Sequence, residues 1–139
     1  MCVGYVHRVG RAIAVELARS GLGVALTYRT REAECRETAR LVVEAGREAG
    51  NGLLGASVDQ LDLADVAAST AFARTLLARA EGRPLDVVVH NASAYDGHDF
   101  AASDGDALAR ATERAHRVEV LSPLVAAALL AVVLLPSAA

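Results

Sequence analysis

The residues with the clearest chemical potential form a glycine-bearing turn at the start of the chain, just before a helix-like segment. The turn reads Gly4-Tyr5-Val6-His7-Arg8-Val9-Gly10. Backbone N–H groups at a helix N-terminus and the helix dipole both attract a phosphate, and glycine allows it to approach closely. The turn therefore predicts an anion site, with candidate contacts at Gly4, Arg8, Val9 and Gly10. The spacing is not the G-x-G-x-x-G of dinucleotide-binding turns. These glycines could therefore be present only because the backbone of the turn requires them, without a ligand.

The segments after the turn alternate short apolar runs with longer amphipathic stretches. Predicted strands cover residues 23–28, 53–59 and 85–90. Two predicted helices cover residues 10–20 and 30–49. A third begins at its N-cap, Asp62, and ends at residues 82–84. A fourth covers residues 106–135 and is interrupted or bent near Ser122-Pro123. This order implies right-handed crossovers and an α/β fold with a doubly wound parallel sheet. Ligands of such sheets bind at the carboxyl ends of the strands.

Length and composition restrict the class of protein. The chain has 139 residues, of which 53% are hydrophobic and 22% charged, so we expect one folded domain over residues 1–139. A net charge of -3 argues against a nucleic-acid partner. Cys2 and Cys35 are too few for a disulfide framework and indicate reduced thiols. Because the first residues include His7, Arg8 and Arg11, no secretory signal is visible, and we predict a cytoplasmic location.

Motifs spread over residues 4–93 resemble those of the short-chain dehydrogenase/reductase family, whose phosphate turn reads Thr-Gly-x-x-x-Gly-x-Gly. Gly4 and Gly10 match the outer glycines, and Arg8 replaces the middle one as in the pteridine-reductase-like branch. Asp62-Leu63 resembles the adenine-contacting Asp-Leu or Asp-Val of the family, and Asn91-Ala92-Ser93 resembles its Asn-Ala-Gly or Asn-Ala-Ser element. The resemblance implies an incomplete Rossmann-like fold and an NADP-dependent oxidoreductase that reduces a carbonyl or a pterin.

Tyr28-Arg29-Thr30-Arg31 ends the strand that would meet the adenosine ribose in such a fold. An acidic residue there would accept from a free 2′-hydroxyl, whereas arginine favours a 2′-phosphate through charge-assisted hydrogen bonds. The segment therefore predicts NADP rather than NAD, with contacts from Tyr28, Arg29 and Thr30. Each candidate also has an explanation that needs no ligand. The arginines could be solvated residues at the start of a helix, Asp62 could be a helix cap, and Asn91 could hydrogen-bond to the backbone of its loop.

The chain departs from the family in its catalytic residues. All 14 of its Lys+Arg residues are arginine, so it contains no Tyr-x-x-x-Lys pair. Tyr5, Tyr28 and Tyr95 lie in the phosphate turn, at a strand end and in a loop. In a segment that weakly resembles the family up to Pro123, Glu119 takes the position of an asparagine. We therefore assign no catalytic residue.

The family's central first strand is represented by only Met1-Cys2-Val3, or about 10 Å of chain. We expect a form truncated at both ends, the N-terminal half of a short-chain dehydrogenase/reductase. Such a chain is either mainly the cofactor-binding half of an NADP-dependent oxidoreductase with a small-molecule substrate or a catalytically inactive nucleotide-binding or interaction fragment. The oligomeric state stays open, and a homo-oligomer is one alternative.

Two other classes of site have weaker support. Residues 120–139 carry no charge, but Pro123 and Pro136 bracket only 12 apolar residues, which is typical of a core or subunit-interface helix and not of a membrane span. A metal site would have to draw on His90, His98, His116, Asp96 and Asp99. No pair of these histidines is spaced i, i+4 and no cysteine joins them, so we predict neither a metal site nor membrane insertion.

Overall fold

The computed structural model describes residues 2–3, 9–51, 55–81, 85–94 and 104–127. The chain divides into two compact units, one of residues 1–61 with 86–91 and one of residues 62–85 with 92–139. The elements are β1 (Cys2–Val3), α1 (Val9–Arg19), β2 (Val24–Tyr28), α2 (Glu32–Glu48), β3 (Ala56–Gln60), α3 (Val66–Arg79), β4 (Val89–His90) and α4 (Gly105–His116). A π-helical segment, Arg117–Leu121, continues α4, and residues 122–127 are again α-helical.

The first unit is built on parallel strands. β2 pairs with β3 over its whole length, from Val24 opposite Ala56 to Tyr28 opposite Gln60. β1 pairs with β4 in parallel, as a second two-stranded sheet, and also lies in contact with β2. α1 and α2 pack against each other, as expected when two successive right-handed crossovers run in the same direction across a sheet. The predicted parallel α/β arrangement is confirmed in this unit.

The core of the first unit lies where α1 and α2 meet β2. Small and β-branched side chains allow the two helices and the strand to approach closely, and one leucine fills the largest share of the space. The buried cluster consists of Ala14, Ala18, Val24, Leu26, Cys35 and Val42. Cys35 carries a buried thiol and forms no disulfide among the residues described.

The end of α1 is held by a side chain from the loop after α2. Gly21 has a φ of 90°, the left-handed conformation that commonly terminates a helix. Asn51 then donates from Nδ2 to the carbonyl oxygens of Ala18, at 3.1 Å, and Arg19, at 2.7 Å. Asn51 thereby supplies a donor to the carbonyl of Arg19 at the helix end, and it adds a second donor to the carbonyl of Ala18, which also accepts from the N–H of Gly21.

The prediction of a strand over residues 85–90 is wrong in extent. Only Val89–His90 forms β4, and residues 85–88 have no regular structure. The valines favour an extended backbone, but a strand also needs a hydrogen-bonding partner along its length. In the parallel register Cys2 pairs with Val89 and Val3 pairs with His90, so the ladder with β1 covers these two residues of the predicted strand. The strand predicted from residue 53 is described from Ala56 onward, and residues 53–54 lie outside the described part.

The predicted cap of α3 is also wrong, by three residues. Asp65 is the N-cap, and its carboxylate accepts from the backbone N–H of Ala68 at 2.9 Å. Asp62 accepts from the N–H of Ala64 at 2.9 Å, in a local turn before the helix. Aspartate favours both kinds of turn for the same reason, because its short side chain reaches a backbone N–H two or three residues ahead.

Replacing the cap tests this assignment. We expect Asp65→Ala to lower the free energy of unfolding by about 1 kcal/mol, because the N–H of Ala68 loses its acceptor. Urea denaturation monitored by circular dichroism measures the change. Asp65→Asn keeps a side-chain oxygen in place and is expected to lose much less stability. Equal losses in the two variants would contradict a capping role.

The second unit packs α3 against the helical residues that follow the π-helical segment. The hydroxyls of Ser69 and Ser122 lie 3.1 Å apart and are buried. The π-helical segment ends at Leu121, shortly before Pro123, which has no N–H to continue the ladder. This confirms the predicted interruption near Ser122-Pro123. Within the described residues, no helix combines the length and the apolar character needed to cross a bilayer.

Candidate nucleotide site

The predicted phosphate turn is described only from Val9 onward, and Gly4 and Arg8 lie outside the described residues. Val9 opens α1 with a side chain that is 62% exposed, and Gly10 is buried. The first turn of α1 has no acidic residue, so no carboxylate within that turn competes for its N–H groups. This helix start keeps the partial positive charge that favours an anion.

The carboxyl end of β2 presents the predicted ribose contacts. Tyr28 and Arg29 are half-buried, and Thr30 is exposed. The N–H of Leu61 donates to the carbonyl of Tyr28 at 2.7 Å, and Gln60 Nε2 donates to the carbonyl of Arg29 at 3.0 Å. The ends of β2 and β3 are thus joined by hydrogen bonds, which fixes the backbone that carries these three side chains.

Arg29 differs from the nearby arginines of α2 in its partners. Arg36 lies 2.7 Å from Glu32, and Arg40 lies 2.8 Å from Glu37, both within one helix. Within the described ranges, the guanidinium of Arg29 contacts no carboxylate, and the hydrogen bond at this residue involves its backbone carbonyl. Its charge is consequently available to an external anion.

The surroundings of Tyr28 disfavour ionisation of its hydroxyl. Partial desolvation raises the pKa of the Tyr28 hydroxyl, and the negative charge of Glu32 raises this pKa further. A hydrogen bond from Arg36 lowers the pKa of Glu32 and keeps it ionised. A catalytic tyrosine that ionises near neutral pH needs the opposite shift.

Asp62, which follows β3, lies against a residue of α4 in the second unit. Arg114 Nη2 is 3.4 Å from both Oδ1 and Oδ2 of Asp62, and the two side chains are 32% and 43% exposed respectively. Charge-assisted hydrogen bonds are usually about 2.7–2.9 Å long, so this pair is loose. Leu63, the neighbour of Asp62, is half-buried. The sequence does not identify Arg114 as a partner of Asp62, because arginine is a common residue on the polar face of an amphipathic helix.

The Asn91-Ala92-Ser93 element begins directly after β4, and Asn91 belongs to the first unit while the other two belong to the second. Ser93 Oγ donates to Glu119 Oε1 at 2.9 Å, and the N–H of Ala94 donates to the same oxygen at 3.3 Å. Glu119 lies in the π-helical segment. Although exposed, it is therefore an acceptor for the segment that contains Ser93 and not an uninvolved surface residue.

His90 precedes this element and provides a pH prediction. Desolvation by burial lowers the pKa of His90 below its ordinary value of 6.5. The unfolded chain then holds this proton more tightly than the folded chain does. The stability contributed by neutral His90 is therefore complete above about pH 6.5 and is lost as the pH falls through the folded pKa.

An NMR titration of the His90 imidazole measures this pKa directly. Urea unfolding at about pH 8 and about pH 5 measures the linked loss of stability. We expect His90→Gln to reduce the difference between the free energies of unfolding measured at the two pH values. A His90 pKa at or above 6.5 would contradict the prediction.

The other candidate sites rest partly on undescribed residues. Tyr5, Tyr95, Asp96, His98 and Asp99 lie outside the described part of the chain. In the part that is described, no group of three or more His, Cys, Asp or Glu side chains could hold a metal ion.

Comparison with known proteins gives matches among solved structures. No family model matches the chain, and no curated protein matches it. A short-chain dehydrogenase/reductase from Serratia marcescens is 27% identical, with a TM-score of 0.73 over 94% of this chain and 48% of that chain. A metagenomic short-chain oxidoreductase in complex with NADP is 26% identical, with a TM-score of 0.75 over 95% of this chain and 54% of that chain.

A blue fluorescent protein from a metagenomic library, in complex with NADPH, is 25% identical, with a TM-score of 0.70 over 94% of this chain and 48% of that chain. The chain therefore spans about half the length of these three proteins. Its two parallel strand pairs, β2 with β3 and β1 with β4, are neighbouring pairs in the order expected of a Rossmann-type sheet. The chain thus has the Rossmann-like fold of the short-chain dehydrogenases/reductases.

Proposed function

We propose that this chain is the NADP-binding half of an oxidoreductase of the short-chain dehydrogenase/reductase type. The observation that carries the proposal is Arg29, which lies at the carboxyl end of β2 and contacts no carboxylate in the described part of the chain. A cation at this strand end favours a nucleotide with a 2′-phosphate. The similar metagenomic proteins in complex with NADP and NADPH support the same cofactor.

The donors and acceptors present suit this cofactor. The N-terminal N–H groups of α1, at Val9 and Gly10, would bind the pyrophosphate together with Gly4 and Arg8. The remaining proposed contacts are Tyr28, Arg29 and Thr30 for the ribose and its phosphate, Asp62 and Leu63 for the adenine, and Asn91, Ala92 and Ser93. When bound, NADPH supplies a hydride.

We further propose that the polypeptide binds the nucleotide without turning it over by itself. It has no lysine, and the arginines that replace lysine throughout stay protonated and cannot relay a proton. Desolvation and the charge of Glu32 raise the pKa of Tyr28. These observations favour the second candidate function, a catalytically inactive nucleotide-binding fragment, for the isolated chain.

The finer aspects of the proposal concern the substrate and setting. Arg8 and Asn91-Ala92-Ser93 favour the pteridine-reductase-like branch, so a carbonyl compound or a pterin is the proposed small-molecule substrate of the whole reaction. We propose that residues 1–139 act as one NADP-binding domain in the cytoplasm, alone or as a homo-oligomer.

Titration of the purified chain with NADPH and NADH, followed by nicotinamide fluorescence, tests the cofactor. We expect NADPH to bind more tightly than NADH, and we expect no loss of NADPH absorbance when a carbonyl or pterin substrate is added. Failure to bind either nucleotide would reject the proposed site. Turnover would reject the proposal that the chain is inactive alone.

A further inference from the structure

The ion pair between Asp62 and Arg114 differs from the other ion pairs in which both partners are described. Those pairs join side chains three or four residues apart, as for Arg36 with Glu32. Asp62 and Arg114 instead lie on different elements, 52 residues apart in the chain. Their contact distance of 3.4 Å leaves room for adjustment.

Both side chains retain hydrogen-bonding capacity. Asp62 Oδ1 accepts from the N–H of Ala64 and lies near Arg114 Nη2, whereas Oδ2 contacts only Nη2 among the described groups. A carboxylate has about four acceptor positions, and a guanidinium has five N–H donors. In the described part of the chain, Arg114 Nε and Nη1 donate to no protein acceptor. An acceptor and a donor therefore lie side by side and partly exposed.

An adenine edge has the complementary arrangement, because its exocyclic amino group is a donor and the adjacent ring nitrogen is an acceptor. We propose that Arg114 is a base-contacting residue of the nucleotide site, donating to an adenine ring nitrogen while Asp62 accepts from the amino group. This inference rests on the proposed NADP function and adds a residue to it.

The test measures binding of NADPH and of adenosine 2′,5′-bisphosphate to the full chain by calorimetry. We expect Arg114→Leu to weaken the binding of both probes by about tenfold, since a hydrogen bond to a charged donor is lost. Arg114→Gln keeps an N–H donor and is expected to lose less affinity. Arg117→Leu is the matched control, because Arg117 is an exposed arginine that contacts Glu113 at 2.6 Å, and we expect less than about twofold change.

A double-mutant cycle identifies the shared base. If both side chains contact one adenine, the loss in Asp62→Asn with Arg114→Leu is smaller than the product of the single losses. Unchanged binding in Arg114→Leu would overturn the inference while leaving the NADP proposal intact. Tighter binding would also overturn it, because Arg114 would then block Asp62. Absence of binding by the unaltered chain would reject the proposed function and the inference together.

Discussion

Replacing Arg29 with alanine is expected to weaken NADPH binding by about tenfold to a hundredfold and to change NADH binding by less than about twofold. The two nucleotides differ only in the 2′-phosphate, and hydrogen bonds to a charged group are worth about 1.5–3 kcal/mol. Arg29 has no carboxylate partner among the described residues, so its removal breaks no ion pair there. Fluorescence titration of both nucleotides with the variant and the unaltered chain measures the effect.

Arg47→Ala is the control for this prediction, because it removes one positive charge from the exposed last turn of α2. A general effect of net charge would weaken NADPH binding equally in the two variants. Equal losses of NADPH and NADH affinity in Arg29→Ala would show that this residue does not recognise the 2′-phosphate. Either result would remove the main support for NADP over NAD.

Replacing Leu26 with alanine is expected to lower the free energy of unfolding by about 2–5 kcal/mol. Leu26 is 1% exposed and lies in the middle of β2, within the cluster that joins this strand to α1 and α2. Its truncation removes buried apolar surface and leaves a cavity that packed helices fill poorly. Chemical denaturation of the full chain, followed by circular dichroism, gives the change.

The matched control is Leu124→Ala, the same chemical change at a side chain that is 61% exposed. We expect it to alter the free energy of unfolding by no more than about 0.5 kcal/mol. Similar losses at the two positions would mean that Leu26 does not lie in a tightly packed core.

The order of the elements could be predicted from the sequence because it depends on local patterns. The β2 segment is an apolar run bounded by Gly23 and by polar residues, and α2 has an amphipathic pattern with charged pairs on its outer face. Each of these signals lies within the element that it predicts. They identified both elements with boundaries that differ by no more than two residues.

Features that depend on distant partners could not be predicted in the same way. Residues 85–88 have side chains that favour a strand but no regular structure, and the described pairing with β1 involves Val89 and His90. The contacts of Asp62 with Arg114 and of Ser93 with Glu119 join residues far apart in the chain. Side-chain type shows which atoms can bond, but only the folded backbone determines which of them meet.

The hydrogen bonds of Asn51 link the C-terminal ends of α1 and α2, so local unfolding of one end affects the other. Its side chain holds the last carbonyls of α1, while its own N–H donates to the carbonyl of Gly46 near the end of α2. Fraying of either terminus therefore disturbs a contact on which the other depends. Amide hydrogen exchange at Leu22 and at Asn51 should then show a common opening free energy, as for residues of one cooperative unit.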